Sequence, residues 1–357
     1  MRKRLARAAA PAAALLLIAG CAGDDAATVT RGSLTGRLAG SGATFPEPLF
    51  ERWMSHYGTH VETGAAIDYR PVGSGGGIEQ FLAGTVDFGS SERYLRQREL
   101  AVAADVRGCD AVQFPVVFGA VAIVLNDEAL DGMVLTAEVL ARIYDGQITR
   151  WNDPAIAALN PDLDLPERRV VPVHRSDGSG TTYVFTRYLT TEVPFWGERY
   201  AEGTDIDWHE TAVGGDGNAG VAGAVRDSAG GLGYVNQSHA DEAGLATARV
   251  VNEDGTPVAP TLEATTAASA EAEIPDNFQF AIDDIGGAGY PITGANWIFA
   301  YTCGYDGDTA ALLRDFWTWA LNDATADRFA ADLGYAPMSR VLKTRVTEEI
   351  RHINADG

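Results

Sequence analysis

Cysteine is scarce in this chain, with three residues among 357, at positions 21, 109 and 303. No closely spaced cysteine–histidine set occurs, which excludes a zinc site of the usual spacing. Histidine is sparse too, and the one close pair, His56 and His60, is interrupted by the helix-breaking Gly58. No metal and no cofactor is expected. Basic residues number 27 against 49 acidic ones, a formal charge of -22, which argues against nucleic acid and against anionic lipid head groups as partners. Motifs for covalent chemistry are missing as well. Ser179 and Ser74 follow Asp177 and Val72 at the position where a hydrolase nucleophile elbow needs glycine. Asp87-Phe-Gly89 and His174-Arg-Ser-Asp177 share letters with kinases, but the glycine loop and strand lysine are absent. Neither a phosphate-binding loop ending in Gly-Lys-Ser/Thr nor a His-Glu-x-x-His pair appears. No catalytic residue is assigned.

The chain begins with a positive head, Met1 to Arg7, and an apolar run from Ala8 to Gly20 that ends in small residues, the pattern of an export signal. That run is too short for a permanent membrane span, and no later stretch is long and apolar enough. It closes on Ile18-Ala-Gly-Cys21, which resembles the bacterial lipobox. The resemblance implies cleavage before Cys21, lipid on its thiol, and an extracytoplasmic protein anchored to the bacterial cell membrane. Ordinary secretion with an incidental cysteine is the alternative. Residues 21–33 are small, polar and aperiodic, as a flexible tether would be. Loss of the leader also removes four basic residues and deepens the acidity. In an oxidising compartment Cys109 and Cys303 either pair or remain two separate buried thiols.

Short apolar runs (Ile67 to Tyr69, Val116 to Leu125, Val170 to Val173) alternate with segments of helical period, so the fold class is α/β. Thr44 to Tyr57 carries an apolar helical stripe, with Pro46 and Pro48 in its first turn and Thr44 and Glu47 spaced as a capping box. Leu130 to Tyr144, Thr182 to Leu189 and Leu312 to Phe329 read as further amphipathic helices. Leu262 to Glu273 reads either as low complexity or as an exposed surface helix. His209, Trp208 and Trp196 are taken as structural.

One construction occurs three times: a strand runs into glycine, serine and threonine, and these open a helix. The instances are Gly40-Ser-Gly-Ala-Thr-Phe45, Gly73-Ser-Gly-Gly-Gly-Ile78 and Arg175-Ser-Asp-Gly-Ser-Gly-Thr181. At a helix start the first N–H groups lack intrahelical partners and the dipole adds partial positive charge, so such turns hold anions. Thr44, Ser74, Ser179 and Thr181 add hydroxyl donors. Neutral donors of this kind reconcile an anion site with an acidic protein. Arg175 is the one cation in these turns; Asp177 either orients its fork toward a tetrahedral oxyanion or forms a simple surface pair with it.

These residues resemble the PstS family, the phosphate-binding proteins of bacterial phosphate ABC transporters. Its landmarks are matched in order by Gly40-Ser-Gly-Ala-Thr-Phe-Pro-Glu-Pro48, Val72-Gly-Ser-Gly-Gly-Gly77, Val86-Asp-Phe-Gly-Ser90, Gln113-Phe-Pro-Val116, His174-Arg-Ser-Asp-Gly-Ser-Gly-Thr181, Gly230-Gly-Leu-Gly-Tyr234 and Tyr290-Pro-Ile-Thr293. The resemblance implies high-affinity binding of inorganic phosphate and delivery to the permease of an importer. Thr44, Phe45, Ser74, Arg175, Asp177, Ser179, Gly180 and Thr181 would form the site. The family's acidic acceptor is usually aspartate, whereas Val86-Asp-Phe-Gly-Ser-Ser-Glu92 places glutamate there, so a small shift must absorb the extra methylene unless Glu92 turns to solvent. That carboxylate would accept the proton of phosphate and repel sulfate. A protein for another oxyanion such as arsenate, or a phosphate-ester hydrolase, is the alternative reading.

The family fold is the type II periplasmic-binding-protein fold, with two lobes joined by two crossing segments and the ligand in the cleft. Lobe one would be 34–114 plus 291–357 and lobe two 115–290, with crossings at Phe114-Pro115 and Tyr290-Pro291 and both Cys109 and Cys303 near the junction.

Overall fold

The computed structural model describes residues 32–355. The expected export leader, Cys21 and nearly all of the expected tether lie outside them. No helix among the described residues is long and apolar enough to cross a membrane.

The apolar runs assemble into one curled sheet, in the order Gly64–Pro71, Thr35–Gly42, Phe88–Ser91, Thr293–Tyr301, Ala111–Leu125, Gly231–Asn236, Val171–Arg175 and Val213–Gly215, with Ala246–Thr247 paired to Ala111–Leu125 on the side. The first three are mutually parallel, as are the last three apart from the central crossing strands, which run antiparallel to their neighbours. The Ala111–Leu125 strand is buried along almost its whole length, which is why it reads as a continuous apolar run. It pairs with Thr293–Tyr301 as far as Ala120, and from Val121 with Gly231–Asn236. This exchange of partners falls beyond the Phe114-Pro115 step expected from the sequence. Pro115 lies opposite Trp297, where the register shifts between Asn296 and Trp297, so its missing N–H is absorbed at a bulge and the strand continues. The second crossing follows Tyr290-Pro291: the Val121 N–H donates to the Ile292 carbonyl at 2.8 Å and the Tyr290 hydroxyl to the Val121 carbonyl at 3.0 Å.

Apolar cores lie to either side of the exchange. Phe50, Trp53, Phe81, Phe88, Phe299 and Trp317 belong to the first. Tyr144, Trp151, Phe185, Trp196 and Tyr234 belong to the second, and Val124, Val173, Val221 and Val225 form a smaller third. The molecule is therefore two α/β lobes on shared crossing strands. Phe278, Phe280, Ile282 and Ile285, which precede the second crossing, pack into the first core.

Several helices differ in extent from their sequence periods. The first runs Glu47–His56 and passes through Gly58 as a π-helical turn, Tyr57–Val61, so Gly58 does not break it and the His56 and His60 rings stack at 4.5 Å. The stretch from Leu130 to Tyr144 is helical at Ala137–Tyr144, where the Thr136 hydroxyl caps the start. Leu312 to Phe329 is two helices, Gly307–Asn322 and Ala324–Asp332, separated by Asp323, which caps the second. Both face the first core, which keeps the apolar period unbroken across the join. Gly180–Glu192 and Leu262–Glu271 extend or shorten their expectations by a few residues, the latter as a helix on the surface.

Cys109 and Cys303 are bonded, with Cα atoms 6.1 Å apart. They flank the end of the antiparallel pair where Ala111 faces Tyr301, remote from the partner exchange, so the bond clamps the outer end of the first lobe instead of the junction. Because it spans 194 residues of chain, it removes considerable freedom from the unfolded state. Replacing both cysteines by serine is expected to lower the unfolding free energy by about 2–5 kcal/mol in urea denaturation; unchanged midpoints would show that the strand pair needs no clamp.

Candidate functional site

The three glycine-rich turns meet. In the first, the strand Thr35–Gly42 leads into Thr44 and Phe45, whose N–H groups have no hydrogen-bond partner among the described residues. The capping box read between Thr44 and Glu47 is not formed. The helix starts at Glu47, and Pro46 and Pro48 carry no N–H to cap, which frees the Thr44 hydroxyl to face the cleft. The Phe45 ring turns away into the first core, edge-on to Tyr335 at 5.8 Å.

In the second turn, Gly73 opens the helix Gly73–Leu82 at φ +79°, and a Cβ there would lie 2.3 Å from an Asp177 carboxylate oxygen. Only glycine fits on both counts. Buried Ser74 accepts the Glu92 N–H on its Oγ at 3.2 Å. In the third, Ser179 caps the helix Gly180–Glu192: its Oγ accepts the Thr182 N–H at 3.0 Å and its own proton remains to donate. A Cβ on Gly180 would meet Ser74 Oγ at 2.4 Å, so glycine is what lets the second and third turns close. The Gly75 N–H donates to the Gly178 carbonyl at 2.8 Å across this seam.

Arg175 is fully buried, and its fork is bidentate to Asp177, Nε to Oδ1 at 2.7 Å and Nη2 to Oδ2 at 2.5 Å. The pair is thus internal and not a surface salt bridge. Asp177 Oδ1 also accepts the Gly217 N–H at 3.0 Å. Burial alone would raise the Asp177 carboxyl, but the hydrogen bonds and charge of Arg175 outweigh it and hold the group below the usual carboxylate range. Arg175 Nη1 donates to Thr181 Oγ1 at 3.2 Å, which leaves N–H capacity on both terminal nitrogens.

Glu92 does not turn to solvent. It is 2% exposed, and its Oε1 accepts the Thr181 hydroxyl at 3.0 Å. Oε2 is buried with no hydrogen-bond partner. Burial pushes the carboxyl up to about 8, against the charge of Arg175 and the Thr181 hydrogen bond, which pull it down.

Sequence reasoning missed Asn218. It is fully buried and donates from Nδ2 to Thr44 Oγ1 at 2.8 Å and to Thr181 Oγ1 at 3.3 Å. It stands at the start of the helix Gly217–Asp227, after the strand Val213–Gly215, a fourth use of the same strand–glycine–helix construction. Gly214-Gly-Asp-Gly-Asn218 was the available signal. Contacts across the cleft therefore join Thr44, Ser74, Glu92, Arg175, Asp177, Gly180, Thr181 and Asn218. Among the described residues no cluster of three or more His, Cys, Asp or Glu side chains is placed to hold a metal ion. Amide and hydroxyl donors, one oriented guanidinium and one acceptor suit a small tetrahedral oxyanion that keeps a proton.

Residues 27–324 match the family model described as a PBP superfamily domain. Among curated relatives, the phosphate-binding protein PstS of Pasteurella multocida is 35% identical over 306 residues, covering 84% of this chain and 86% of that protein. PstS of Haemophilus influenzae is 36% identical, covering 84% and 88%. The structure of PfluDING, a high affinity periplasmic phosphate-binding protein bound with phosphate, superposes with a TM-score of 0.73 at 23% identity, covering 88% of this chain and 93% of that one. The matched stretch takes in all four turns, so the chain belongs to the PBP superfamily and, within it, to the PstS family of phosphate-binding proteins.

Proposed function

We propose that the protein captures one inorganic phosphate ion outside the cytoplasmic membrane, held there by lipid on Cys21, and passes it to the permease of an ABC-type importer without chemical turnover. The observation that carries this reading is the buried, unpartnered Oε2 of Glu92 among donors that all favour an anion. Above about pH 8, where Glu92 is ionised, phosphate still holds a proton to give such an oxygen, whereas sulfate has none and meets the carboxylate as an uncompensated charge. Thr44, Phe45, Ser74, Arg175, Ser179, Gly180 and Thr181 would supply the donors, and Asp177 the orientation of Arg175. Arsenate shares the protonation of phosphate and would be the competing ligand. The lobes would be 34–114 with 291–357 and 115–290, the Phe278–Ile285 segment reaching from the second onto the first.

Glu92 also links binding to pH. With its folded-state value raised from 4.5 to about 8, the carboxyl holds its proton more tightly when folded. Its contribution to stability is therefore full below about 4.5 and is lost as pH rises to about 8. While protonated, Glu92 can itself donate to a fully deprotonated oxyanion, so discrimination against sulfate should sharpen as pH passes 8.

Calorimetric titration of ligand-stripped protein at pH 8.5 should show tight one-to-one phosphate binding and silence with sulfate; silence with both, from folded protein, would refute the reading. Arg175→Ala, which removes charged hydrogen bonds of about 1.5–3 kcal/mol each, should weaken phosphate binding roughly 100-fold or more. Glu92→Gln should admit sulfate and abolish the pH dependence of selectivity. In urea denaturation without ligand, the stability of this variant relative to wild type should climb from about pH 4.5 to about pH 8 and then level off; a flat difference would mean that Glu92 is not titrating in the cleft. Incubation with a chromogenic phosphate monoester should release no product, and steady turnover would favour the hydrolase reading.

A further inference from the structure

Asn218 bridges two site threonines, and its own orientation is fixed from behind. Its Oδ1 accepts the Asn236 backbone N–H at 2.9 Å, and since that partner can only donate, Nδ2 must be the end that faces the cleft. One Nδ2 proton goes to Thr44 Oγ1 at 2.8 Å and the other to Thr181 Oγ1 at 3.3 Å, while the Asn218 backbone N–H adds a second bond to Thr44 Oγ1 at 3.3 Å. A hydroxyl has two lone pairs and one proton. Both lone pairs of Thr44 Oγ1 are taken by Asn218, so this hydroxyl can only donate. Both lone pairs of Thr181 Oγ1 are taken, by Arg175 Nη1 at 3.2 Å and by Asn218, and its proton goes to Glu92 Oε1 at 3.0 Å.

Building on the phosphate-capture reading, we infer that Asn218 is a positioning residue that sets the polarity of the site. It makes Thr44 a donor to the bound anion and commits the Thr181 hydroxyl to Glu92, which leaves Oε2 as the acceptor for the proton of the ligand. It also ties the two lobes, because Thr44 precedes a helix of the first core and Asn218 opens a helix packed on the third, beyond the exchange of strand partners. The Thr181 hydroxyl then acts on the ligand only through Glu92. A ligand that must donate a hydrogen bond at Thr44 finds no acceptor there, so the same residue contributes to choice of ligand as well as to closure.

The test is a double-mutant cycle on the mature protein, read by calorimetric titration with inorganic phosphate and then sulfate. Asn218→Ala alone should weaken phosphate binding roughly 10- to 100-fold. In a Thr44→Val background, which lacks the hydroxyl that Asn218 orients, the same change should cost several-fold less, because the two residues act as a unit. A residue that merely supports the fold would give losses that multiply, and that result would overturn the inference. Asn218→Ser, which keeps a small donor at the position, replaces alanine in the cycle if the alanine variant shows a collapsed urea midpoint; multiplicative losses there overturn it equally. Wild-type protein silent to phosphate would remove the capture reading and this inference together, whereas binding by wild type with an uncoupled cycle would remove the inference alone.

Discussion

The buried charge of Arg175 is compensated by Asp177, which meets its fork with both carboxylate oxygens, and much of the site is built around that pair. A buried ion with its partner removed is strongly destabilising, so the fork and the carboxylate must be placed together. Asp177 is fixed in turn by the Gly217 N–H, which draws the start of the helix Gly217–Asp227 into the cleft and sets Asn218 beside Thr44. On the other side the same carboxylate presses on Gly73, where no Cβ can be accommodated. One ion pair thus dictates the glycine of the second turn and the approach of the fourth.

The acidity of the chain and its affinity for an anion belong to different length scales. Surface charges separated by more than about 8 Å are largely screened at physiological ionic strength, whereas groups in a cleft closed to water are not. What an anion would meet at close range in the proposed site is a set of oriented amide and hydroxyl dipoles and a single guanidinium. The acidic exterior then acts on the rate of approach. Inside, the buried Oε2 of Glu92 has no hydrogen-bond partner among the described residues, and under the proposed reading, once ionised, it would take the proton of the ligand.

The turns were legible in the sequence because glycine before a helix start has few other reasons to recur, and the residues named there do converge. Readings that used local spacing alone did less well. Thr44 and Glu47 have the spacing of a capping box, but the Thr44 hydroxyl has a partner 174 positions away, and no local rule can report that. Asn218 follows a strand of only three residues, Val213–Gly215, too short to show alternation, so its turn did not register as one of the set. The Phe114-Pro115 step reads as a crossing between lobes, and Gly58 as a helix breaker. In the first case a bulge in its own strand, with Val116 as the extra residue, relieves the missing donor; in the second the helix widens to a π turn. Both are tertiary accommodations of a local preference. The disulfide pairing was open from composition, and its position at the outer end of a strand pair followed from the register alone.

The bonds that close the cleft are few and polar. Gly75 to Gly178, Thr181 to Glu92, Asn218 to Thr44, and the Tyr335 and Ser238 hydroxyls at 2.8 Å span it. The large aromatic clusters lie mostly on one side or the other of the partner exchange, with the Phe278–Ile285 segment reaching from the second lobe into the first core. Were the lobes to part there, the groups exposed would be ones that water can satisfy, at about 1 kcal/mol net for each hydrogen bond exchanged. A closed form held by apolar burial would be bound shut with or without a ligand. Under the proposed reading an ion would supply the partner that Glu92 and the turn amides lack, and closure would then be conditional on the right anion being present.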